Sequence, residues 1–271
     1  MTAPVTENVA ASHPAKWSST VLDALVAIAG AESDRIESPI TVLDPFAGIG
    51  AGRLSQALAG NARIVDGVEL QPEWCSLGTI QGDSLNLPAD WTGRYHAVIT
   101  SPVYGNRASD HHDAKDPCKA CDGTGRRPVP NLAAVSSDRF FCPTCKGSGL
   151  SWRITYAHAL RRHGGEVQPG SSAVLQWGPA YRTFHRRALA EMIRVVTEGG
   201  MLAINMSNHV REGTEQLVVE WWVNEIILAG CQLHEVRRVS TRRQRNGANR
   251  DARVDGEVII VAHTPSPRRL V

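Results

Sequence analysis

Residues 40–50 read Ile-Thr-Val-Leu-Asp-Pro-Phe-Ala-Gly-Ile-Gly, and this stretch decides the fold of the 271-residue chain. The apolar run 40–43 predicts a short buried strand, and residues 51–58 predict a helix. Gly48 and Gly50 permit a sharp turn between the two and the close approach of a ligand to the start of the helix. An ordinary strand-to-helix turn is the alternative. The order of strand, glycine turn and helix predicts an α/β protein that binds a ligand at the carboxyl ends of its strands.

Two acidic residues follow the next two predicted strands. Residues 63–68 predict the second strand, which ends at Glu69, nineteen positions after Gly50. An acid at this offset suits a bidentate contact with a ribose diol. Asp83 follows Gly82 after a third short strand and is a further candidate. The alternatives are a surface carboxylate for Glu69 and a common Gly-Asp turn for Asp83.

The element after the apolar run 95–100 is predicted to carry the reaction. It reads Ser101, Pro102, Val103, Tyr104 and continues with Gly105, Asn106 and Arg107. The Ser101 hydroxyl and the Pro102 carbonyl can accept the hydrogens of an exocyclic amino group, which aims the nitrogen lone pair at a methyl donor. Tyr104 is predicted to stack on a base extruded from its helix. These residues predict methyl transfer to a nucleobase amino group without a covalent intermediate.

Three stretches resemble motifs of known methyltransferases. Asp44 to Gly50 resembles the first motif of S-adenosylmethionine-dependent methyltransferases, Asp-Pro-Phe-x-Gly-x-Gly. Ser101 to Tyr104 resembles the motif of the DNA amino-methyltransferases, which is Asp, Asn or Ser followed by Pro-Pro and an aromatic residue, with Val103 replacing the second Pro. Residues 13–17, His-Pro-Ala-Lys-Trp, resemble the His-Pro-x-Lys-aromatic segment that precedes the cofactor motif in that family. The start of an amphipathic helix explains residues 13–17 equally well.

The resemblance implies a Rossmann-like methyltransferase fold with a mostly parallel sheet of about seven strands. The catalytic domain would span residues 13–106 and 182–271, and residues 231–240 and 257–263 are predicted to be two final strands that form an antiparallel edge pair. The implied cofactor is S-adenosyl-L-methionine, since a dinucleotide turn would usually place a third glycine where Arg53 stands. The implied cofactor-binding residues are Asp44, Pro45, Phe46, Gly48, Gly50, Glu69 and Asp83. The implied catalytic residues are Ser101, Pro102 and Tyr104.

The residue at position 101 bears on the methylated atom. Ser101 in place of Asp favours the 4-amino group of cytosine over the 6-amino group of adenine, as the resemblance implies. Methylation at carbon 5 is disfavoured because it needs a cysteine nucleophile, and none lies in or next to the loop. The alternatives are an RNA amino-methyltransferase and a catalytically inactive, zinc-containing nucleic-acid-binding protein on the same fold.

The predicted alternation of strands and helices stops after the loop, in a stretch of sequence that contains four cysteines. Cys118, Cys121, Cys142 and Cys145 have the spacing C-x2-C-x20-C-x2-C, which predicts one tetrahedral, structural zinc site. Each pair continues with two glycines, a repeat that resembles the Cys-x-x-Cys-x-Gly-x-Gly unit of J-domain co-chaperones. A redox pair or disulfides are the alternatives. Residues 107–181 are therefore predicted to be a zinc-binding insertion, to which we assign target recognition.

The charge distribution favours a nucleic-acid partner, although the net charge is only +2. Seven arginines lie between positions 237 and 253 against one acid, Asp251. Such a run is often only a solvated face, but its place beside predicted ligand-binding loops favours phosphate contact. The predicted nucleic-acid-binding residues are Asn106, Arg107, Arg242, Arg243, Arg245 and Arg250. DNA is the expected partner, with RNA as the alternative, and no obligate protein partner is evident.

The remaining composition is that of an ordinary globular protein, with 42% hydrophobic and 21% charged residues. No signal peptide and no membrane span are predicted, so we expect a cytoplasmic protein with reduced cysteines and no membrane partner, in a prokaryotic or phage-infected cell. Residues 1–12 are small and polar without periodicity, and they are predicted to be a disordered tail.

Overall fold

The structure is a computed structural model that describes residues 17–75, 78–105, 116–118, 120–126, 141–151, 160, 164–211, 213–241, 254 and 256–266. The predicted tail 1–12, the motif residues 13–16, and the predicted nucleic-acid contacts at positions 106, 107, 242, 243, 245 and 250 lie outside the described residues.

A seven-stranded sheet organises the described chain. Its strands are β1 (Ile40–Asp44), β2 (Ala62–Glu69), β3 (Thr79–Gln81), β4 (Tyr95–Thr100), β7 (Val196–Met206), β10 (Gln232–Val239) and β11 (Glu257–His263). Their order in the sheet is β3-β2-β1-β4-β7-β11-β10. All neighbours from β3 to β7 are parallel, whereas β11 is antiparallel to both β7 and β10. The chain reverses its direction of winding between β1 and β4, and a ligand crevice is expected at such a switch point.

In the described part of the chain, four α-helices cover the two faces of this sheet. They are α1 (Ser19–Arg35), α2 (Ala51–Ala57), α3 (Pro179–Val195) and α4 (Val218–Leu228). Ser18 caps α1, since its hydroxyl accepts the Val21 N–H at 3.2 Å. Alternate strand residues enter two separate apolar cores, because successive side chains point to opposite faces. Val42, Ala97, Ala203 and Ile259 pack with α1, and Leu43, Val98, Ile204 and Ile260 pack with α3 and α4.

Two short hairpins stand apart from the main sheet. One pairs β5 (Asp116–Pro117) with β6 (Leu150–Ser151), next to the four cysteines in sequence. The other pairs β8 (His209–Arg211) with β9 (Thr214–Gln216) between β7 and α4. None of the described helices is long and apolar enough to cross a membrane.

The predicted architecture is confirmed, including the antiparallel edge pair, but several element boundaries differ. The sequence pattern predicts a helix over residues 182–197, but the helix begins at Pro179, where a proline is favourable because the first turn needs no N–H donor. The pattern also predicts a helix over residues 215–228, which begins at Val218 because Thr214–Gln216 forms the second strand of a hairpin. The helix that the pattern predicts within residues 13–30 runs from Ser19 to Arg35.

Candidate functional site

Asp44 lies at the carboxyl end of β1 and is 1% exposed. Its Oδ1 accepts the Phe46 N–H at 3.1 Å and the Thr100 hydroxyl at 2.5 Å. Its Oδ2 is buried and has no hydrogen-bond partner in the structure. Burial raises the pKa of Asp44 to about 6, and the bonds from Thr100 and Phe46 oppose that rise. The carboxyl group therefore joins the glycine turn to the end of β4.

The glycine turn is closely packed on both sides. Gly48 has φ of 50°, a left-handed conformation that favours glycine. A Cβ on Gly50 would lie 2.7 Å from Nε1 of Trp17, so the indole occupies the space of a side chain there. Arg53 donates from Nη1 to the Trp17 carbonyl at 3.1 Å. Trp17 is the aromatic residue of the predicted His-Pro-x-Lys-aromatic segment, and these contacts place it beside the glycine turn.

Glu69 lies at the tip of β2 and reaches the glycine turn. Its carboxylate accepts the Gly48 N–H at 2.9 Å and the Gln71 N–H at 2.7 Å, one at each oxygen. Burial raises the pKa of Glu69 to about 7, assisted by the nearby charge of Asp44 and opposed by these backbone bonds. Each carboxylate oxygen can accept a further hydrogen bond. The tip of β2 can therefore hold a pair of vicinal hydroxyls.

Asp83 follows β3 and closes a local turn. Its carboxylate accepts the Leu85 N–H at 2.9 Å and the Asn86 side-chain amide at 2.7 Å. The Gly82 N–H donates to the Glu69 carbonyl at 3.0 Å, which keeps this turn beside the tip of β2. The structure thus brings Asp44, Glu69 and Asp83 to neighbouring strand ends.

The loop after β4 is held by the segment that leads into α3. The Val103 carbonyl accepts the hydroxyl of Tyr181 at 2.9 Å, and Tyr181 in turn accepts the Trp222 indole N–H at 3.1 Å. The Gly105 carbonyl accepts the Trp177 N–H at 2.7 Å. The Val103 side chain also packs against the apolar core under α3 and α4 and against a small cluster of Trp74, Leu160 and Ala173. These contacts fix the loop although Val103 lacks the ring of the second proline.

Four side chains form a polar cluster at the ends of β4, β7 and β11, and its members are Ser101, Tyr104, Asn205 and Glu257. The Ser101 hydroxyl lies 3.2 Å from the Tyr104 hydroxyl. Asn205 donates from Nδ2 to Glu257 at 2.6 Å, to Tyr104 at 3.0 Å and to Ser101 at 3.3 Å. Tyr104 donates to Glu257 at 3.4 Å. The predicted catalytic hydroxyls are therefore linked to an amide and a carboxylate.

Sequence reasoning missed two members of the polar cluster. Asn205 is 2% exposed within the otherwise apolar end of β7, and a buried amide in such a run is a signal that would have identified it. Glu257 opens β11 and has no sequence neighbour that marks it. A cavity of about 780 Å³ shares Glu257 with the polar cluster and is also lined by Ser207, Asn208, Glu220 and Arg238. Its volume is in the range of small-molecule pockets.

The four predicted metal ligands lie together and are buried. All four Sγ atoms lie within 4.8 Å of one another. Cys118 and Cys142 have their sulfurs 3.9 Å apart, and Cys121 and Cys145 have theirs 3.7 Å apart. Sulfurs bound at 2.3 Å to a tetrahedral ion would be about 3.8 Å apart. These distances exclude disulfides among the four, which are free thiols, and they fit a single metal ion.

The repeated glycines explain how the two cysteine pairs meet. The Cys118 N–H donates to the Gly149 carbonyl, and the Cys142 N–H donates to the Gly125 carbonyl, each at 2.8 Å. A Cβ on Gly125 or on Gly149 would collide with the backbone of the opposite pair. A backbone N–H bond from Cys145 lowers the pKa of Cys142 to about 6, which favours the thiolate that binds metals.

Two arginines of the basic run, Arg237 and Arg238, are among the described residues. Arg237 donates from Nε to Glu235 at 2.8 Å, and Arg238 lines the cavity. The four arginines of this run that are predicted to contact nucleic acid follow Thr241 and lie outside the described residues.

The fold is the Rossmann-like methyltransferase fold, as the sequence resemblance implied. The N-methyltransferase NodS from Bradyrhizobium japonicum WM9, solved with S-adenosyl-L-homocysteine, is similar with a TM-score of 0.43 and 10% identity over 92% of this chain and 89% of that one. A putative methyltransferase from Bacillus halodurans is similar with a TM-score of 0.45 and 14% identity over 90% of this chain and 99% of that one. The [4+2]-cyclase SpnF is similar with a TM-score of 0.47 and 12% identity over 93% of this chain and 85% of that one. No family model and no curated protein matches the sequence.

Proposed function

We propose that this protein is an S-adenosylmethionine-dependent methyltransferase that methylates the exocyclic amino nitrogen of a flipped DNA base, with cytosine N4 favoured over adenine N6. One observation carries the proposal. The hydrogen bond of 2.5 Å between Thr100 and Asp44 joins the loop that bears Ser101 to the glycine turn. The loop to which we assign the amino group and the turn to which we assign the cofactor are therefore neighbours at the switch point of the sheet.

The residues on the β1 and β2 side fit the cofactor. The buried Oδ2 of Asp44 has no hydrogen-bond partner among the described residues, so it can accept a hydrogen bond from a ligand. Glu69 would accept the two ribose hydroxyls, and Asp83 would lie near the adenine. When bound, S-adenosylmethionine would supply the methyl group, the nitrogen lone pair would form the new bond as the bond from methyl to sulfur breaks, and the surplus proton of the nitrogen would pass to water.

The residues on the β4 side would orient the amino group. Ser101 Oγ and the Pro102 carbonyl would each accept one of its hydrogens, and no hydrogen bond engages the Pro102 carbonyl within the described residues. Two acceptors hold the nitrogen with its lone pair directed away from them, which is the orientation that methyl transfer needs. The half-buried Tyr104 would stack on the base.

Methyl incorporation tests this proposal. The purified protein is incubated with labelled S-adenosylmethionine and either duplex DNA or RNA, and the modified nucleosides are identified by mass spectrometry. We expect N4-methylcytosine in DNA and a loss of the product with Ser101→Ala. Methylation confined to RNA would support the RNA alternative, and cofactor binding without turnover on either polymer would support the inactive nucleic-acid-binding protein.

We also propose that the four cysteines hold one structural zinc ion. Four thiolates would complete the coordination of the metal and leave no open position for a reaction. We expect about one zinc per chain by elemental analysis, and loss of that zinc with Cys142→Ser. Cys75→Ser is the matched control, because Cys75 lies outside the cysteine cluster. Zinc content that is unchanged in Cys142→Ser would contradict the proposal.

A further inference from the structure

The polar cluster contains one group whose hydrogen-bonding role is fixed. A carboxylate can only accept hydrogen bonds, whereas a hydroxyl can donate or accept. Glu257 Oε2 accepts the amide of Asn205 at 2.6 Å, which requires that the nitrogen of this amide faces the carboxylate. The same oxygen accepts the hydroxyl of Tyr104 at 3.4 Å. Glu257 therefore determines which partners must donate.

The direction set by Glu257 extends to Ser101. Because the Tyr104 hydrogen is given to Glu257, the Tyr104 oxygen is left as an acceptor, and the Ser101 hydroxyl at 3.2 Å can donate to it. The second amide hydrogen of Asn205 reaches the Tyr104 oxygen at 3.0 Å and adds to this arrangement. Once the hydrogen of Ser101 is given to Tyr104, Ser101 can only accept hydrogen bonds. Asn205 Nδ2 lies 3.3 Å from its oxygen, and the other lone pair can accept from a substrate.

We propose that Glu257 is a positioning and specificity residue that makes Ser101 a hydrogen-bond acceptor toward the substrate. This inference rests on the proposed function. It explains how a neutral serine can select a base with an amino group, since cytosine and adenine present N–H donors where thymine presents a carbonyl oxygen. Glu257 acts through Tyr104 and Asn205. It lies on β11, and Asn205 on the intervening strand β7 connects it to the loop after β4.

The exchange of Glu257 for glutamine tests this role. Glutamine keeps the shape but introduces an N–H donor, so the direction of the hydrogen bonds is no longer fixed. For Glu257→Gln we expect methyl transfer to DNA, measured as kcat, to fall roughly 10- to 100-fold while the Kd of S-adenosylmethionine by calorimetry stays unchanged. Glu257→Asp restores the carboxylate and should recover part of kcat. Glu225→Gln is the control, because Glu225 pairs with Arg186 and belongs neither to the residues proposed to bind the cofactor nor to the polar cluster.

The outcomes separate this inference from the function on which it rests. Wild-type protein that transfers no methyl group to any nucleic acid overturns both. Active wild-type protein together with Glu257→Gln as fast as Glu225→Gln overturns the role of Glu257 alone. An equal loss of kcat in Glu257→Asp and Glu257→Gln would also overturn it, because a carboxylate would then have no advantage over an amide. A fall of kcat in Glu257→Gln with partial rescue by Asp supports it.

Discussion

The carboxyl edge of the sheet has two halves that hold their polar groups by different means. In the half that we propose to bind the cofactor, called the cofactor half, each acid at the ends of β1, β2 and β3 accepts the backbone N–H two residues further along the chain. These bonds join Asp44 to Phe46 at 3.1 Å, Glu69 to Gln71 at 2.7 Å and Asp83 to Leu85 at 2.9 Å. In the acceptor half, which is the polar cluster, side chains from three strands bind one another.

The two halves differ in how much of the fold must form before their hydrogen bonds can form. A bond between residues two positions apart depends on a local turn, and a short peptide can already favour it. Ser101 and Asn205 are 104 positions apart, and Tyr104 and Glu257 are 153 positions apart, so their bonds need the assembled sheet. We therefore expect substitutions in one half to leave the other half intact.

The largest effect is expected from Glu69→Ala in the cofactor half. Loss of two charge-assisted hydrogen bonds to a ribose, each worth about 1.5–3 kcal/mol, should raise the Kd of S-adenosylmethionine by at least about 100-fold. Calorimetry measures this change, and Glu198→Ala is the control because Glu198 is exposed at the start of β7. A Kd within about twofold of wild type would remove Glu69 from the cofactor site.

Tyr104→Ala should affect the acceptor half alone. Loss of stacking on a base, worth about 1–3 kcal/mol, should lower kcat/KM for DNA by about 5- to 150-fold and leave the Kd of the cofactor unchanged. Steady-state kinetics and calorimetry on the same preparation measure both quantities. An equal loss of cofactor affinity would show that the two halves are not independent and that the base pocket lies elsewhere.

Cofactor binding should depend on pH through Glu69. The pKa of Glu69 is raised to about 7 by burial, so the free protein carries the ionised acceptor only above that pH. Because ribose hydroxyls donate to the ionised form, affinity should rise by up to about tenfold per pH unit below pH 7 and then level off. Calorimetry between pH 5 and 8 measures the profile. A flat profile in the wild type would contradict the role of Glu69.

The raised pKa of Glu69 affects folding stability in the opposite direction to cofactor affinity. A carboxyl group with a raised pKa binds its proton more tightly in the folded state, so its contribution to stability falls as the pH rises from about 4.5 to about 7. Glu69→Gln should remove the part of both pH dependences that is due to Glu69, because an amide does not titrate in this range, whereas the contribution of Asp44 to stability should remain.

The smallest effect is expected from Tyr181→Phe, beneath the loop of the acceptor half. The change removes the bond to the Val103 carbonyl and leaves the indole N–H of Trp222 without its acceptor. The free energy of unfolding should fall by about 1–3 kcal/mol, as measured by denaturant titration. Phe184→Leu, in the same helix, is a control that removes no hydrogen bond. An unchanged stability would mean that the loop is held chiefly by packing.

Local patterns in the sequence predicted much of the fold and of the cofactor half. The apolar run before Asp44 and the glycines after it predicted β1, the turn and α2, and the spacing of the cysteines predicted their meeting. Element boundaries were less predictable where pairing overrode periodicity. The helix predicted from Glu215 begins only at Val218, because Thr214–Gln216 is paired with His209–Arg211. Tertiary contacts outweigh a weak helical preference over so few residues.

The sequence by itself determined the parts that depend on near neighbours, namely the strand-turn-helix start, the acids that close their own turns, and the glycines that let two cysteine pairs approach. Only the tertiary structure decided that Asn205 and Glu257 join Ser101 and Tyr104. Their meeting depends on the order of β4, β7 and β11 in the sheet, and a short sequence pattern does not encode which distant strands become neighbours.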